Sequence, residues 1–161
     1  MKLYKIKFHL TSGVRRLLLN LFNRNINISR KTSWRRKCSF ISEGGKITIG
    51  KRCFFNNECS IVSMDSITIG DNSIFGENVK IYDHNHRFNI SNKTVKEQGY
   101  IKESISIGNN CWIGSNVVVL KGTKIGNNCV IGAGVTLSGI IPDGTIVKQN
   151  KDYIIEPIDF K

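Results

Sequence analysis

The chain repeats itself every six residues. Ile107-Gly108, Ile113-Gly114, Val119-Leu120, Ile125-Gly126, Ile131-Gly132 and Leu137-Ser138 each open with an aliphatic residue, most often with glycine behind it. A small or branched residue stands four places after the aliphatic: Cys111, Val117, Thr123, Cys129 and Val135. An earlier run has the same form through Ile49-Gly50, Phe55-Asn56 and Ile61-Val62, then Ile69-Gly70, Phe75-Gly76 and Ile81-Tyr82, with two extra residues between Ile61 and Ile69. A helix repeats near 3.6 residues and a strand at 2, so neither produces this pattern. A period of six fits a triangular coil in which each hexad is one short strand and a turn, and three hexads make a rung. The inward aliphatics then stack on their equivalents 18 residues on: Ile107 on Ile125, Ile113 on Ile131, Val119 on Leu137. A single rung cannot bury its own faces, so stability comes from the stack. The residue four places on faces the interior beside a corner and must be small. The glycine is expected to supply the backbone shape of the corner. A run of short antiparallel strands with Gly/Asn turns would not hold this register over six consecutive hexads.

At 161 residues the chain amounts to one domain. Residues 1–40 are expected to form a basic helical and extended lead-in, and residues 41–161 the coil domain. Within it, residues 41–86 form the first rungs, 87–104 break the register and 105–139 resume it. The stretch 87–104 is polar and without period, so it is expected to leave the coil as an extruded loop, and long loops inside compact folds are usually functional or disordered. Pro142, Asp143 and Gly144 form a turn. The remaining tail is expected to add one more strand.

The net charge of +12 is unevenly spread. Residues 1–42 hold eleven Lys or Arg and no acid, whereas residues 43–161 hold thirteen basic and twelve acidic residues. The positive character is therefore an N-terminal property. Residues 14–22 are expected to form a short helix with Leu17, Leu18, Leu21 and Phe22 on one side. Such a helix can cap the open end of a coil, lie on an anionic membrane surface, or bind nucleic acid. No nucleic-acid motif accompanies the charge, so nucleic acid is not an expected partner. The favoured expectation is the cap, alone or with peripheral membrane contact. No apolar run is long enough to span a bilayer, and lysines interrupt any signal-peptide core. The expected location is the cytoplasm, including the inner face of the membrane. The cysteines agree: Cys53, Cys59, Cys111 and Cys129 fall in the small inward slot and read as buried hydrophobes, not as disulfides or metal ligands. Cys38 precedes the repeat and receives no role.

From Ile107 to Val135 the chain reads IGNNCWIGSNVVVLKGTKIGNNCVIGAGV. This stretch is similar to the hexapeptide-repeat acetyltransferases, and the resemblance extends over roughly residues 45–147. Within that superfamily the chain most resembles galactoside and maltose acetyltransferases and the O-acetyltransferases of bacterial surface polysaccharides. Two segments point to the last group: Tyr82-Asp83-His84-Asn85-His86-Arg87-Phe88 and Glu97-Gln98-Gly99-Tyr100. The resemblance implies an all-β fold, a left-handed parallel β-helix. Its hand comes from the resemblance alone, since parallel crossovers are otherwise nearly always right-handed. It also implies acetyl-coenzyme A as co-substrate, no metal, a sugar or polysaccharide acceptor, and a homotrimer with active sites in the clefts between coils. The loop would then reach a neighbouring chain.

The chain has three histidines, His9, His84 and His86, and two of them lie where the regular coil ends. Histidine is the side chain best suited to accept a proton near neutral pH. The resemblance implies that one of this pair is the general base, and hexads counted in register put it on His86, with His84 beside the acceptor. Asp83 or Glu97 would orient the ring. The same resemblance assigns Asn56 to the acceptor and Trp112 to the wall beside the pantetheine arm. It assigns the backbones of Ser115 and Ala133 to the pantetheine amides, with Ser138 and Gly139 further along that edge. Lys151, with Lys121, Lys124 and Lys148, would serve the coenzyme phosphates. The chain departs from the family's closing Val-x-Gly-x-Pro-Ala pattern: residues 146–152 lack both the glycine and the proline. The adenine end of the coenzyme site is therefore not carried over.

The expected activity is acetyl-coenzyme A-dependent O-acetylation of a sugar hydroxyl in a capsule, O-antigen or exopolysaccharide, by direct transfer. The rivals are an N-acetyltransferase for an amino sugar nucleotide and a non-catalytic β-helix scaffold. A γ-type carbonic anhydrase would need three histidines on a metal ion, and the spacing for that is missing.

Overall fold

A computed structural model describes residues 13–149. His9 and Lys151 lie outside the described residues. Helix α1 covers residues 13–22. The first rung is β1 (Ile26–Ile28), β2 (Ser33–Trp34) and β3 (Ser39–Ser42). The second is β4 (Lys46–Ile49), β5 (Phe54–Phe55) and β6 (Ser60–Ser63), and the third β7 (Ser66–Ile69), β8 (Ile74–Phe75) and β9 (Lys80–Tyr82). A side excursion follows: β10 (His84–His86), a 3-10 turn (Val95–Gln98) and β11 (Tyr100–Lys102). The fourth rung is β12 (Ile105–Ile107), β13 (Trp112–Ile113) and β14 (Val118–Val119). The fifth is β15 (Lys124–Ile125), β16 (Val130–Ile131) and β17 (Thr136–Leu137), with a partial sixth of β18 (Ile140–Ile141) and β19 (Ile146–Val147).

Equivalent strands of successive rungs pair in parallel and build the three faces of a prism. We name them sheet A (from β1), sheet B (from β2) and sheet C (from β3). Their inward columns are Ile28–Ile49–Ile69–Ile107–Ile125, Trp34–Phe55–Phe75–Ile113–Ile131 and Phe40–Ile61–Ile81–Val119–Leu137, and no member is more than 7% exposed. Burying one such side chain contributes about 1.5–3 kcal/mol, so the columns are the main source of cohesion. The early rungs are filled by aromatics: Phe55 stacks on Phe75 at 4.3 Å, and Trp34 meets Phe40 edge-on at 5.0 Å. The later rungs use aliphatics alone.

The coil begins earlier than the expected boundary at residue 41. Ile26 already pairs with Ile47, and Trp34 with Phe55. The six-residue spacing is present in Ile28, Trp34 and Phe40, but aromatics at two of the positions and dense flanking charge disguise it. Helix α1 covers the open end. Asn20 donates to the Ile28 carbonyl at 3.0 Å and accepts from the Ile28 N–H at 3.0 Å, satisfying part of the free edge of β1.

The corner glycines do a different job from the one expected. The left-handed residues sit three places after the inward residue: Arg52, Asn72, Asn110, Asn116 and Asn128 all have φ near +60°. Asparagine tolerates this region, and its amides bond down the corner, Asn110 to Asn128 at 2.8 Å. The glycine one place after the inward residue serves close approach instead. A Cβ on Gly108 would lie 2.5 Å from the Gly126 carbonyl oxygen. Cys53, Cys59, Cys111 and Cys129 are buried and free, as the small-slot reading expects, and Cys38 fills the same slot of the first rung.

Candidate active site

Chain enters the site from the end of β9. Asp83 follows and is fully buried. Its carboxylate accepts from the Met64 N–H (2.8 Å), the Asp65 N–H (2.9 Å) and the Ser63 hydroxyl (2.7 Å). These donors come from the corner holding the two extra residues between Ile61 and Ile69. Burial by itself pushes the Asp83 carboxyl up, but the Met64, Ser63, Asp65 and His84 donors together outweigh it and hold the group below the usual carboxylate range. An ionised Asp83 is acceptor-only, so His84 Nδ1, 3.1 Å away, carries the shared hydrogen.

The expected irregular loop is a hairpin. β10 and β11 pair antiparallel, with His84 opposite Lys102 and His86 opposite Tyr100. Its tip is braced by a capping box, in which Glu97 accepts from the Thr94 N–H (2.9 Å) and hydroxyl (2.7 Å). Gln98 accepts from the Ile90 N–H at 2.8 Å and donates to the Lys93 carbonyl at 3.0 Å. Alternate residues of a strand share a face, which sets His84 and His86 side by side. Tyr100 touches both: it meets the His84 ring edge-on at 5.6 Å and the His86 ring at 4.6 Å. His84 is mostly covered, with 15% of its side chain exposed, whereas His86 is open to solvent. The two expected orienting acids are therefore engaged elsewhere than on His86. Asp83 bonds its neighbour His84, and Glu97 is committed to Thr94 at the hairpin tip.

The remaining expected residues fall into two groups. Asn56, Ser115 and Ala133 lie at the corner between sheets B and C. The Asn56 side-chain oxygen accepts from Arg35 (3.1 Å) and from the Asn57 N–H (2.9 Å). Ser115 is tied into the coil: its carbonyl accepts from the Gly134 N–H at 2.9 Å and its hydroxyl from the Glu77 N–H at 3.1 Å. Trp112 stands on the outer face of sheet B, 55% exposed, between Ile74 and Val130. Ser138 and Gly139 are exposed at the corner between sheets C and A, the corner that also releases the histidine hairpin. The Gly139 carbonyl accepts from the Lys124 N–H at 2.9 Å. Lys121 pairs with Glu103 at 3.3 Å, while Lys124 and Lys148 are exposed. Among the described residues no hydrogen bond joins the histidine corner to the Asn56 and Ser115 corner.

Sequence reasoning missed Tyr100 as the partner of both imidazoles, and Ser63, Met64 and Asp65 as the cradle of Asp83. The irregular spacing between Ile61 and Ile69 was the available signal for the cradle. Among the described residues no three His, Cys, Asp or Glu side chains gather closely enough to share a metal ion. Nor is any helix among them long and apolar enough to cross a membrane.

Residues 104–139 match the family model described as bacterial transferase hexapeptide (six repeats), and residues 46–82 match the hexapeptide repeat of succinyl-transferase. The chain is 34% identical over 116 residues to the galactoside O-acetyltransferase of Escherichia coli K12, covering 72% of this chain and 56% of that one. It is 34% identical over 154 residues to the "Putative lipopolysaccharide biosynthesis O-acetyl transferase WbbJ" of the same strain, covering 81% and 79%. A solved galactoside acetyltransferase in complex with coenzyme A superposes with a TM-score of 0.59 at 28% identity, over 86% of this chain and 76% of that one. With 56% of the galactoside enzyme and 44% of a mycobacterial relative aligned, the chain spans about half the length of several curated proteins it matches. By its repeat, the rungs that repeat builds and these matches, the chain belongs to the hexapeptide-repeat acetyltransferase family, and its coil is the left-handed parallel β-helix expected of that family.

Proposed function

We propose that the chain is an acetyl-coenzyme A-dependent O-acetyltransferase for a sugar hydroxyl of a bacterial surface polysaccharide, working as a homotrimer with His86 as general base. One observation carries this reading. The imidazoles leave from one corner of the prism, while Trp112 stands on the outer face of sheet B and the Ser115–Ala133 edge runs along the next corner, and in this reading the site is completed where two coils meet. The outer face of sheet B supports assembly. Ile74, Trp112 and Ile146 are 46%, 55% and 61% exposed, an apolar strip on a flat side that a copy can cover. Pairing such sides around an axis gives a closed cyclic oligomer. The similarity to a galactoside O-acetyltransferase and to a putative lipopolysaccharide O-acetyltransferase supports a sugar acceptor.

In this mechanism His86 takes the proton of the acceptor hydroxyl as its oxygen attacks the thioester carbonyl. The new C–O bond gives a tetrahedral oxyanion, which collapses with cleavage of the C–S bond. The departing thiolate recovers the proton from the imidazolium, leaving an acetyl ester and the coenzyme thiol. Removing a positioned base of this kind typically lowers the rate by about 10²–10⁴-fold. A second reading makes His84 the base. It is favoured by the Asp83 bond at 3.1 Å, which holds one tautomer and leaves Nε2 as the acceptor.

Thiol release from acetyl-coenzyme A with a panel of glycans tests the activity, and His86→Ala against His84→Ala separates the two bases. Mass analysis of the product distinguishes an ester from the amide an N-acetyltransferase would make. No turnover with any acceptor would leave the scaffold reading in its place. Light scattering checks the trimer.

A further inference from the structure

Helix α1 faces the opposite way from a helix in an ordinary globular domain. Such helices turn an apolar stripe to the core and polar residues to water. Here two of the side chains aimed at the coil are polar: Asn20 bonds both backbone groups of Ile28, and Arg16 donates to the Thr32 carbonyl at 3.2 Å. Leu19 is the apolar side chain of α1 packed against the core. Val14, Leu17, Leu18 and Leu21, the i, i+3, i+4, i+7 stripe, point outward and are 56%, 59%, 47% and 64% exposed, and Phe22 is 85% exposed. Beside this stripe a groove of about 780 Å³ opens between α1 and the first rung, lined by Leu18, Phe22, Trp34 and Phe40 among others. Arg15 and Lys37 also line it, Lys37 in an ion pair with Glu58 of the second rung at 3.2 Å, and Arg24, Arg30, Arg35 and Arg36 are exposed on the same N-terminal part of the molecule. Residues 1–42 contain no acid to neutralise them.

We propose that α1 and the first rung form a docking surface for an anionic lipid bilayer. An apolar helical stripe flanked by arginines matches an interface whose headgroups are negative and whose next layer is hydrocarbon. A second copy of this surface is a poor occupant, because it would set the exposed Arg15, Arg24, Arg30 and Arg36 of one copy against those of the other. Nucleic acid would meet the charge but leave the leucines and Phe22 in water. The surface owes nothing to the acyl-transfer reading.

The test is co-sedimentation of the full chain with vesicles of phosphatidylcholine alone and of phosphatidylcholine doped with phosphatidylglycerol. Binding is expected to the doped vesicles only, weakening as salt is raised. Each cation near an anionic surface is worth about fivefold in partitioning, so Arg24→Gln with Arg36→Gln should lose roughly 25-fold. Replacing Leu17, Leu21 and Phe22 together by serine should abolish sedimentation while leaving the melting temperature nearly unchanged, since all three side chains are mostly exposed. Three results would overturn the proposal: no binding to doped vesicles, equal binding to both vesicles, or wild-type binding by the serine variant. A concentration-dependent assembly dissolved by the serine variant, without vesicle binding, would identify a second copy as occupant. Retention on duplex DNA without vesicle binding would identify nucleic acid. Thiol release measured in parallel keeps failure of this surface distinct from failure of the catalytic reading.

Discussion

Two corners of the prism keep a fixed spacing and the third does not. From sheet A to sheet B the inward residues are always six apart, as in Ile28 to Trp34, Ile69 to Phe75 and Ile125 to Ile131, and from sheet B to sheet C the same holds. From sheet C to sheet A the step is nine from Phe40 to Ile49, eight from Ile61 to Ile69, twenty-six from Ile81 to Ile107, six from Val119 to Ile125 and four from Leu137 to Ile141. Yet the register survives every one of these steps, with Ile107 pairing with Ile69 across the longest. The fixed corners bring backbone against backbone, and one residue more or less there would turn a whole strand inside out. The loose corner takes extra chain outside the prism. It is the corner that holds the Asp83 cradle and the hairpin carrying both imidazoles.

The comparison breaks most sharply at His86. His86→Ala should lower kcat by about 10²–10⁴-fold, with coenzyme affinity and melting temperature near those of the wild type. Retention of even roughly a tenth of the rate would move the base to His84. At a fixed corner the outcome should invert. Gly108→Ala forces a methyl against the Gly126 backbone, and should cost about 1–3 kcal/mol in denaturant unfolding while the folded fraction turns over normally.

Asp83 joins the two behaviours, because a loose-corner residue is built into the core. Asp83→Asn turns an amide toward N–H donors and should cost about 1–3 kcal/mol at neutral pH. The folded Asp83 carboxyl titrates below its unfolded value. Its contribution is therefore present above the unfolded value of about 3.9 and disappears as pH falls through the lower folded one. The stability gap between wild type and Asp83→Asn should accordingly narrow in acid, and a gap independent of pH would deny the carboxylate this role. The smallest effect is expected at the hairpin tip. Replacing residues 90–98 by a short flexible linker, with β10 and β11 kept, should raise the acceptor KM several-fold and leave the melting temperature alone. Unchanged kinetics would remove any lid function.

The linear chain determined the rungs. Inward residues six apart, a small slot four places on, and cysteines used as hydrophobes are local patterns, repeated until only one packing buries them all. The same period located the break that carries His84 and His86. The start of the coil was harder to read, because Trp34 and Phe40 among arginines do not look like members of an aliphatic repeat. Tertiary structure alone decided which groups meet. Tyr100 reaches both imidazoles only because β11 folds back on β10, a pairing between polar segments that leave no periodic mark. Asp83 lies beside His84 in sequence, but its charge is fixed by Ser63, Met64 and Asp65 one rung away. The outward turn of Leu17, Leu18 and Leu21 goes with Asn20 finding the free edge of β1. Burial periodicity is a sum over many weak, identical contacts and so survives in composition and spacing. A site depends on a few long-range contacts, each made once, and these exist only after the chain has closed.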